Sequence, residues 1–294
     1  MLRSVTQVIT ARTQLEGGGF QVRRPLPAPG VRSVDPVLLI DEMGPVDYRP
    51  GEAVGAPDHP HRGFETVTYM LEGEFEHRDS AGHAGTLRPG DVQWMTAGQG
   101  VVHSELPSAR IQQQGGRVHG FQIWVNLPAR LKMTAPRYQE VAAGNIPEAI
   151  SDDGLAQVRV VAGQALGATA QIDTHTPIVY QHWSLRPGAV VRQELPADHN
   201  GLLYVFSGAL QSAGTRLHDG QMGVLGAGDS VELAVPESCE TTAQALLLGG
   251  MPHNEPVVQH GPFVMNTRTE IERAIRDYQQ GLMGTIEPGA RTEM

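Results

Sequence analysis

Apolar residues recur at every second position through most of this chain, interrupted by short clusters of Gly, Pro, Asp and Ser. That period belongs to extended strands, in which residues i and i+2 share a face. Residues 118–126, VHGFQIWVN, show it well, with Phe121, Ile123 and Val125 on one face and Gln122 and Trp124 on the other. Similar runs predict strands over residues 4–11, 19–24, 37–42, 64–71, 75–78, 85–87 and 92–95, with turns at residues 72–74, 79–82 and 89–91. Residues 43–58 hold three Pro and three Gly and read as a loop leading to His59. Residues 131–147 are polar, carry Pro136 and Pro147, and read as a linker. Strand patterns resume at 158–162, 168–173, 178–185, 190–195, 201–206, 230–234 and 244–249. Helical spacing is confident in one place: Thr267-Arg268-Thr269-Glu270 has the form of a capping box, and Ile271, Ala274, Ile275 and Tyr278 follow. Gly281 is placed to stop that helix, predicted over 268–281.

The pattern echoes itself. Tyr69-Met70-Leu71-Glu72-Gly73 resembles Tyr204-Val205-Phe206-Ser207-Gly208, and Arg88-Pro89-Gly90-Asp91 resembles Gly226-Ala227-Gly228-Asp229, at offsets of 135 and 138 residues. Two similar β units are therefore expected, 1–130 and 148–294, joined by the linker.

Composition narrows the function classes. The formal charge is −10 with no Lys/Arg run, which argues against direct binding to nucleic-acid backbone. One cysteine, Cys239, precludes a disulfide within the chain and reads as a small buried residue in a strand. No stretch approaches the ~20 apolar residues of a membrane span, and the N-terminus has no apolar export signal. A cytoplasmic protein is the expectation.

The candidate chemistry lies between Gly55 and Glu105. His59 and His61 are two apart, as are His103 and Glu105, so each pair can aim two ligand atoms from one face of a strand. Three imidazoles and a carboxylate suit a first-row divalent transition metal rather than Ca or Mg. On a six-coordinate ion they leave two positions open and a net charge of about +1, favourable to an anionic oxygen ligand such as an enolate. Carried over at the echo's offsets, the four positions fall on Glu194, Pro196, Thr241 and Ala243, so the second unit is expected to hold no metal. Glu65 shares a face with His61 but lies about 13 Å along an ideal strand, which favours a supporting or structural role. His119 reads as either a pocket or a strand residue, and Gln122 and Trp124 as either cavity wall or core. His77 and His83 are expected to be solvated beside a polar turn, and His199 on a surface loop. His253 and His260 are expected to hydrogen-bond backbone in a Pro-rich tail.

The segments HPHRGFETVTYMLEGEFEHRDS, PGDVQWMTAGQGVVHSE, GFQIWVNLP and EPVVQHGPFVMNT occur in the order found in the pirin family of the cupin superfamily, which the chain resembles over nearly its whole length. The resemblance implies an all-β fold of two tandem cupin (jelly-roll) barrels with a short C-terminal helix and the metal in the N-terminal barrel. It implies His59, His61, His103 and Glu105 as ligands, and Fe(II) as the metal, in a site that Mn, Ni, Co, Cu or Zn can also occupy. Two activities follow from it. One is opening of flavonols such as quercetin with dioxygen, Glu105 taking the substrate hydroxyl proton. The other is metal- and redox-dependent regulation through a protein partner. A zinc cupin isomerase of phosphosugars would want cations near the metal, and Arg62 is the only basic residue immediately beside the ligands.

Overall fold

The computed structural model describes residues 1–286 of the chain. Alternating apolar positions produce two pairs of antiparallel sheets, each pair enclosing one apolar interior. In the first pair, a seven-stranded sheet runs in the order Arg137–Val141, Val92–Thr96, Phe64–Glu72, Gly116–Asn126, Val37–Tyr48, Phe20–Leu26, Arg12–Glu16. The four-stranded sheet is Ala56–His61, Val101–Pro107, Phe75–Asp79, Ala84–Leu87. The second pair repeats this plan. Its larger sheet is Val5–Thr10, Gln221–Leu225, Asn200–Ser207, Ala243–Gly250, Ile178–Leu185, Ala156–Ala162, Glu148–Ile150, and its smaller sheet is Val190–Glu194, Ser230–Ala234, Ala209–Ser212, Thr215–His218.

The compact units are not the contiguous halves 1–130 and 148–294. One gathers Met1–Thr13, Arg23–Asp41 and Ala143–Asn254, and the other gathers Gln14–Val22, Glu42–Ala142 and Glu255–Met294. The reason lies in sheet edges, whose unpaired N–H and C=O groups need partners. Val5–Thr10 pairs with Gln221–Leu225, far away in sequence. In the other unit the matching edge, Val92–Thr96, is covered by Arg137–Val141, which lies within the expected linker. A strand pattern shows that a segment will pair, but not with which edge.

Three further expectations change. The strand from Val37 continues to Tyr48 rather than ending at Glu42, with Gly44 at φ +74° ahead of Pro45. A short helix, Ala109–Gln114, is capped by the Ser108 side chain, which accepts from the Ile111 N–H. Cys239 sits half-buried in a loop, not in a strand. The C-terminal helix, Arg268–Gln279, has the expected capping box between Thr267 and Glu270.

The echo is half right. Tyr69 and Tyr204 lie on corresponding strands. Residues 88–91, however, join Ala84–Leu87 to Val92–Thr96, whereas residues 226–229 join Gln221–Leu225 to Ser230–Ala234. The counterpart of that second turn is 97–100, so Thr241 and Ala243 do not correspond to His103 and Glu105. Gly-Asp turns recur at many strand ends, and so short a motif does not specify which. Where the first unit pairs His59 with His103, the second pairs Val191 with Leu233 and Gln193 with Val231. All four of those residues are buried, and Gln193 alone among them carries a polar group, spent on the carbonyls of Gln164 and Glu194.

Candidate metal centre

The strands Ala56–His61 and Val101–Pro107 run antiparallel, with His103 opposite His59 and Val101 opposite His61. Strand alternation sends His59, His61 and His103 to one face, where their candidate ligand atoms lie within 4.8 Å of one another. The ring centroids are 4.4–4.9 Å apart. Nδ1 of His59 is 2.7 Å from the Pro57 carbonyl, and Nδ1 of His61 is 3.5 Å from that of Pro262. A carbonyl only accepts, so each Nδ1 holds its proton and each Nε2 keeps a lone pair. Those two Nε2 atoms face each other at 3.0 Å, an unfavourable meeting without a cation between them. Both ring nitrogens of His103 are buried and without a hydrogen-bond partner. Orphaned buried imidazole nitrogens of this kind mark a place suited to a cation. With metal–nitrogen bonds of about 2.0–2.1 Å, two ligands at right angles would stand about 3 Å apart, as these do. The donor set fits a first-row transition metal.

Burial, reinforced by the neighbouring imidazoles, holds His61 and His103 well below the usual histidine range. Both are therefore neutral and available as ligands at neutral pH. The same shift couples to stability in metal-free protein. An unfolded His takes up a proton below about pH 6.5, and these two in the folded chain do not, so stability is present above that pH and declines as pH falls below it. The slope is about 1.4 kcal/mol per pH unit for each group, two groups together. Chemical denaturation of metal-free protein between pH 7.5 and 5 is expected to show it, and His61→Gln to flatten it. A wild-type slope unchanged in His61→Gln would remove His61 as a source.

Glu105 is the next inward position after His103, past an irregularity in register that brings it opposite Ala56. It does not join the three-histidine cluster. Both its oxygens are held: Thr68 Oγ1 donates to Oε1 at 2.9 Å and Gln122 Nε2 donates to Oε2 at 2.7 Å. Trp124 Nε1 donates to Gln122 Oε1 at 3.2 Å, which fixes the amide with its NH2 toward Glu105. Trp124 also lies edge-on to His61 and tilted on Phe64, so Gln122 and Trp124 wall the site. Thr68 gave no signal by itself, yet it lies directly opposite Gln122, so the polar faces of two neighbouring strands coincide.

The other candidates are elsewhere. Glu65 is buried and accepts from Thr96 Oγ1 at 2.6 Å, a structural role. His119 pairs with buried Glu42 at 2.9 Å. His83 is exposed, 2.8 Å from Asp79. His77, expected in solvent, is buried under Tyr138, with Nε2 2.6 Å from Glu140 Oε1. It is covered by the strand Arg137–Val141, which the linker reading had removed. His199 is also buried, against Asp198. Of the two tail histidines, His253 is half-buried and His260 exposed. Arg62 points away from the cluster, to the Gln99 carbonyl and to Asp277. It is therefore spent inside the fold, which takes away the cation a phosphosugar would need.

Residues 19–125 match the family described as Pirin, and residues 180–284 match the Pirin C-terminal cupin domain. A pirin-like protein of Solanum lycopersicum is 45% identical over 287 residues, covering 96% of this chain and 93% of its own. The chain belongs to the pirin family. Human pirin is 42% identical over 287 residues, covering 96% of this chain and 94% of its own. In three dimensions this pirin is similar to a crystal structure of quercetin 2,3-dioxygenase from Acinetobacter baumannii, with a TM-score of 0.90, 36% identity, and coverage of 98% of this chain and 100% of the other. Its two β units are cupin domains. Among the described residues, no helix is long and apolar enough to cross a membrane.

Proposed function

We propose that this pirin is a metal-dependent dioxygenase that opens flavonols such as quercetin. The observation that carries the reading is the convergence of three imidazoles beside a carboxylate, Glu105, clamped by Thr68 and Gln122. The likeness to quercetin 2,3-dioxygenase supports the substrate class. His59, His61 and His103 would hold the metal, with Glu105 as the oxygen ligand; Fe(II) suits such a set. When bound, the metal supplies a Lewis-acidic centre at which an enolate and dioxygen can meet.

The protein's own part is proton handling and orientation. Glu105 takes the flavonol hydroxyl proton. That proton belongs on Oε1 rather than Oε2. Thr68 can turn its hydroxyl from donor to acceptor, whereas the Gln122 NH2 can only donate. Phe64 and Trp124 offer aromatic surface beside His61.

The test is anaerobic, iron-loaded protein mixed with quercetin, followed optically as oxygen is admitted. Loss of the flavonol band at a rate set by protein concentration is expected. Glu105→Gln, which keeps the shape and removes the base, is expected to slow it by about 10²–10⁴-fold. No oxygen-dependent change with the wild type would end this reading for quercetin, and full activity in Glu105→Gln would end the role given to Glu105.

A further inference from the structure

Strand alternation gives each ligand-bearing strand a second, outward face. The residues there are Arg62, next to His61, and Val102, next to His103. Both are buried, and both are gripped by the C-terminal segment. Val102 packs in one apolar cluster with Phe263, Met265, Ile271, Ala274 and Met283. The Arg62 N–H donates to the Pro262 carbonyl at 3.4 Å, and the Val264 N–H donates to the Arg62 carbonyl at 3.0 Å. The Arg62 guanidinium donates through Nε to Gln99 O at 2.5 Å and through Nη1 to Asp277 Oδ2 at 2.7 Å. Gln99 lies in the turn that leads to the strand of His103, and Asp277 lies on the C-terminal helix. One buried cation thus ties the His61 strand, the approach to the His103 strand, and the helix.

The approach is close enough to require glycine. Gly63, at φ +90°, has no room for a Cβ against Val264 O and the Met265 sulfur, and Gly100, at φ +129°, has none against Met283. Pro262, in the same segment, offers its carbonyl to Nδ1 of His61.

We propose that Arg62 and Asp277 are positioning residues for the metal centre: their ion pair sets the spacing and tilt of His61 relative to His103, so that the C-terminal helix and the metal site are energetically coupled. This rests on the reading that the three histidines hold a metal. Arginine suits the task because its rigid planar fork fixes the directions of two donors at once, whereas the donors of a lysine ammonium rotate about a single point on a flexible stem. Outer contacts that orient metal ligands typically govern affinity by about 10–100-fold. Coupling of this kind is reciprocal, so metal binding must also steady the helix.

The probe is Co(II), whose visible bands report ligand geometry without any need for turnover. Wild-type protein is expected to bind one Co(II) per chain, and Asp277→Asn and Arg62→Lys to raise its Kd about tenfold or more and to move the bands. Arg273→Ala, an exposed neighbour of Asp277, is expected to change neither. Wild-type Kd and bands in both Asp277→Asn and Arg62→Lys, even with lowered melting temperatures, would reduce the pair to a structural role and overturn the proposal. Should those variants not fold, hydrogen exchange of the wild type decides. Co(II) is expected to slow exchange in Arg268–Gln279 more than in the edge strand Ala84–Leu87, and equal slowing overturns the coupling. Failure of the underlying reading looks different: the wild type takes up no Co(II), or His59→Ala leaves the bands unchanged, and the coupling falls with it.

Discussion

Replacing His103 with alanine is expected to abolish binding of a transition metal while leaving the fold standing. His59 and His61 lie on one strand and His103 comes from the strand opposite, so its loss removes the donor that makes the cluster three-sided. Two imidazoles and a carboxylate remain. The loss of affinity should exceed the about 10–100-fold that outer contacts command. Stability of the metal-free protein should hardly fall, because both His103 nitrogens are buried without a partner. Removing an unsatisfied buried group relieves about 1–3 kcal/mol, against the cavity that truncation opens. The contrast appears when metal is added. A ligand at about 1,000 times its Kd stabilises the native state by about 4 kcal/mol. Wild-type protein should gain that shift and His103→Ala should not. Metal analysis of the purified protein, with thermal melts at rising Fe(II) or Co(II), reads both effects. An alanine variant that keeps one metal per chain and melts like wild type with metal would show the ion held elsewhere. Glu105→Gln is the useful comparison, since it retains all three histidines and should keep more of the metal than of the turnover.

The candidate site was legible because a strand's period is two and its residues come in pairs at that spacing. Nothing else is needed to send His59 and His61, or His103 and Glu105, to one face. What brings the pairs together is the antiparallel register of His59 on His103, and the turns at 72–74 and 89–91 only hint at it. Contacts made across long sequence distance left no local trace. Thr68 became visible as a partner of Glu105 only once its strand was set beside that of Gln122. His77 was misplaced for a related reason. Its own neighbours are polar, and the strand that buries it, Arg137–Val141, carries two charges and a proline just upstream, so it resembles linker. That a segment would form a strand was likewise clearer than which barrel would own it, because an amphipathic strand satisfies any open edge of suitable length. The second barrel makes the complementary point. Val191, Gln193, Val231 and Leu233 fill the place of the histidines, so the fold needs only well-filled space there, and the histidine cluster is an addition to one copy.

Lys132 is expected to be the most sensitive position outside the metal cluster. Its ammonium is buried, 1% exposed, and donates to three acceptors: the Gly63 carbonyl at 2.8 Å, Asn126 Oδ1 at 2.7 Å and the Val264 carbonyl at 2.9 Å. Gly63 directly follows the His61-Arg62 pair, Asn126 ends the strand of Gln122 and Trp124, and Val264 belongs to the C-terminal segment. One side chain from a short turn therefore joins three pieces of chain around the site. Burying an ammonium is costly, and three charge-assisted bonds offset that cost only while all three are made. Lys132→Met keeps most of the volume of the stem and removes every donor. Three buried oxygens then lose a partner at about 1–3 kcal/mol each, less what is regained by no longer burying a charge. A net loss of about 3–5 kcal/mol is expected, in line with breaking other buried polar pairs. The loss should appear in the unfolding transition of the unit that contains Glu42–Ala142, since two-unit chains need not unfold in one step. Denaturant melts of metal-free protein measure it free of any contribution from the metal. A change below about 1 kcal/mol would mean that water or a shifted neighbour replaces the ammonium, and that the three segments hold together through the apolar cluster alone.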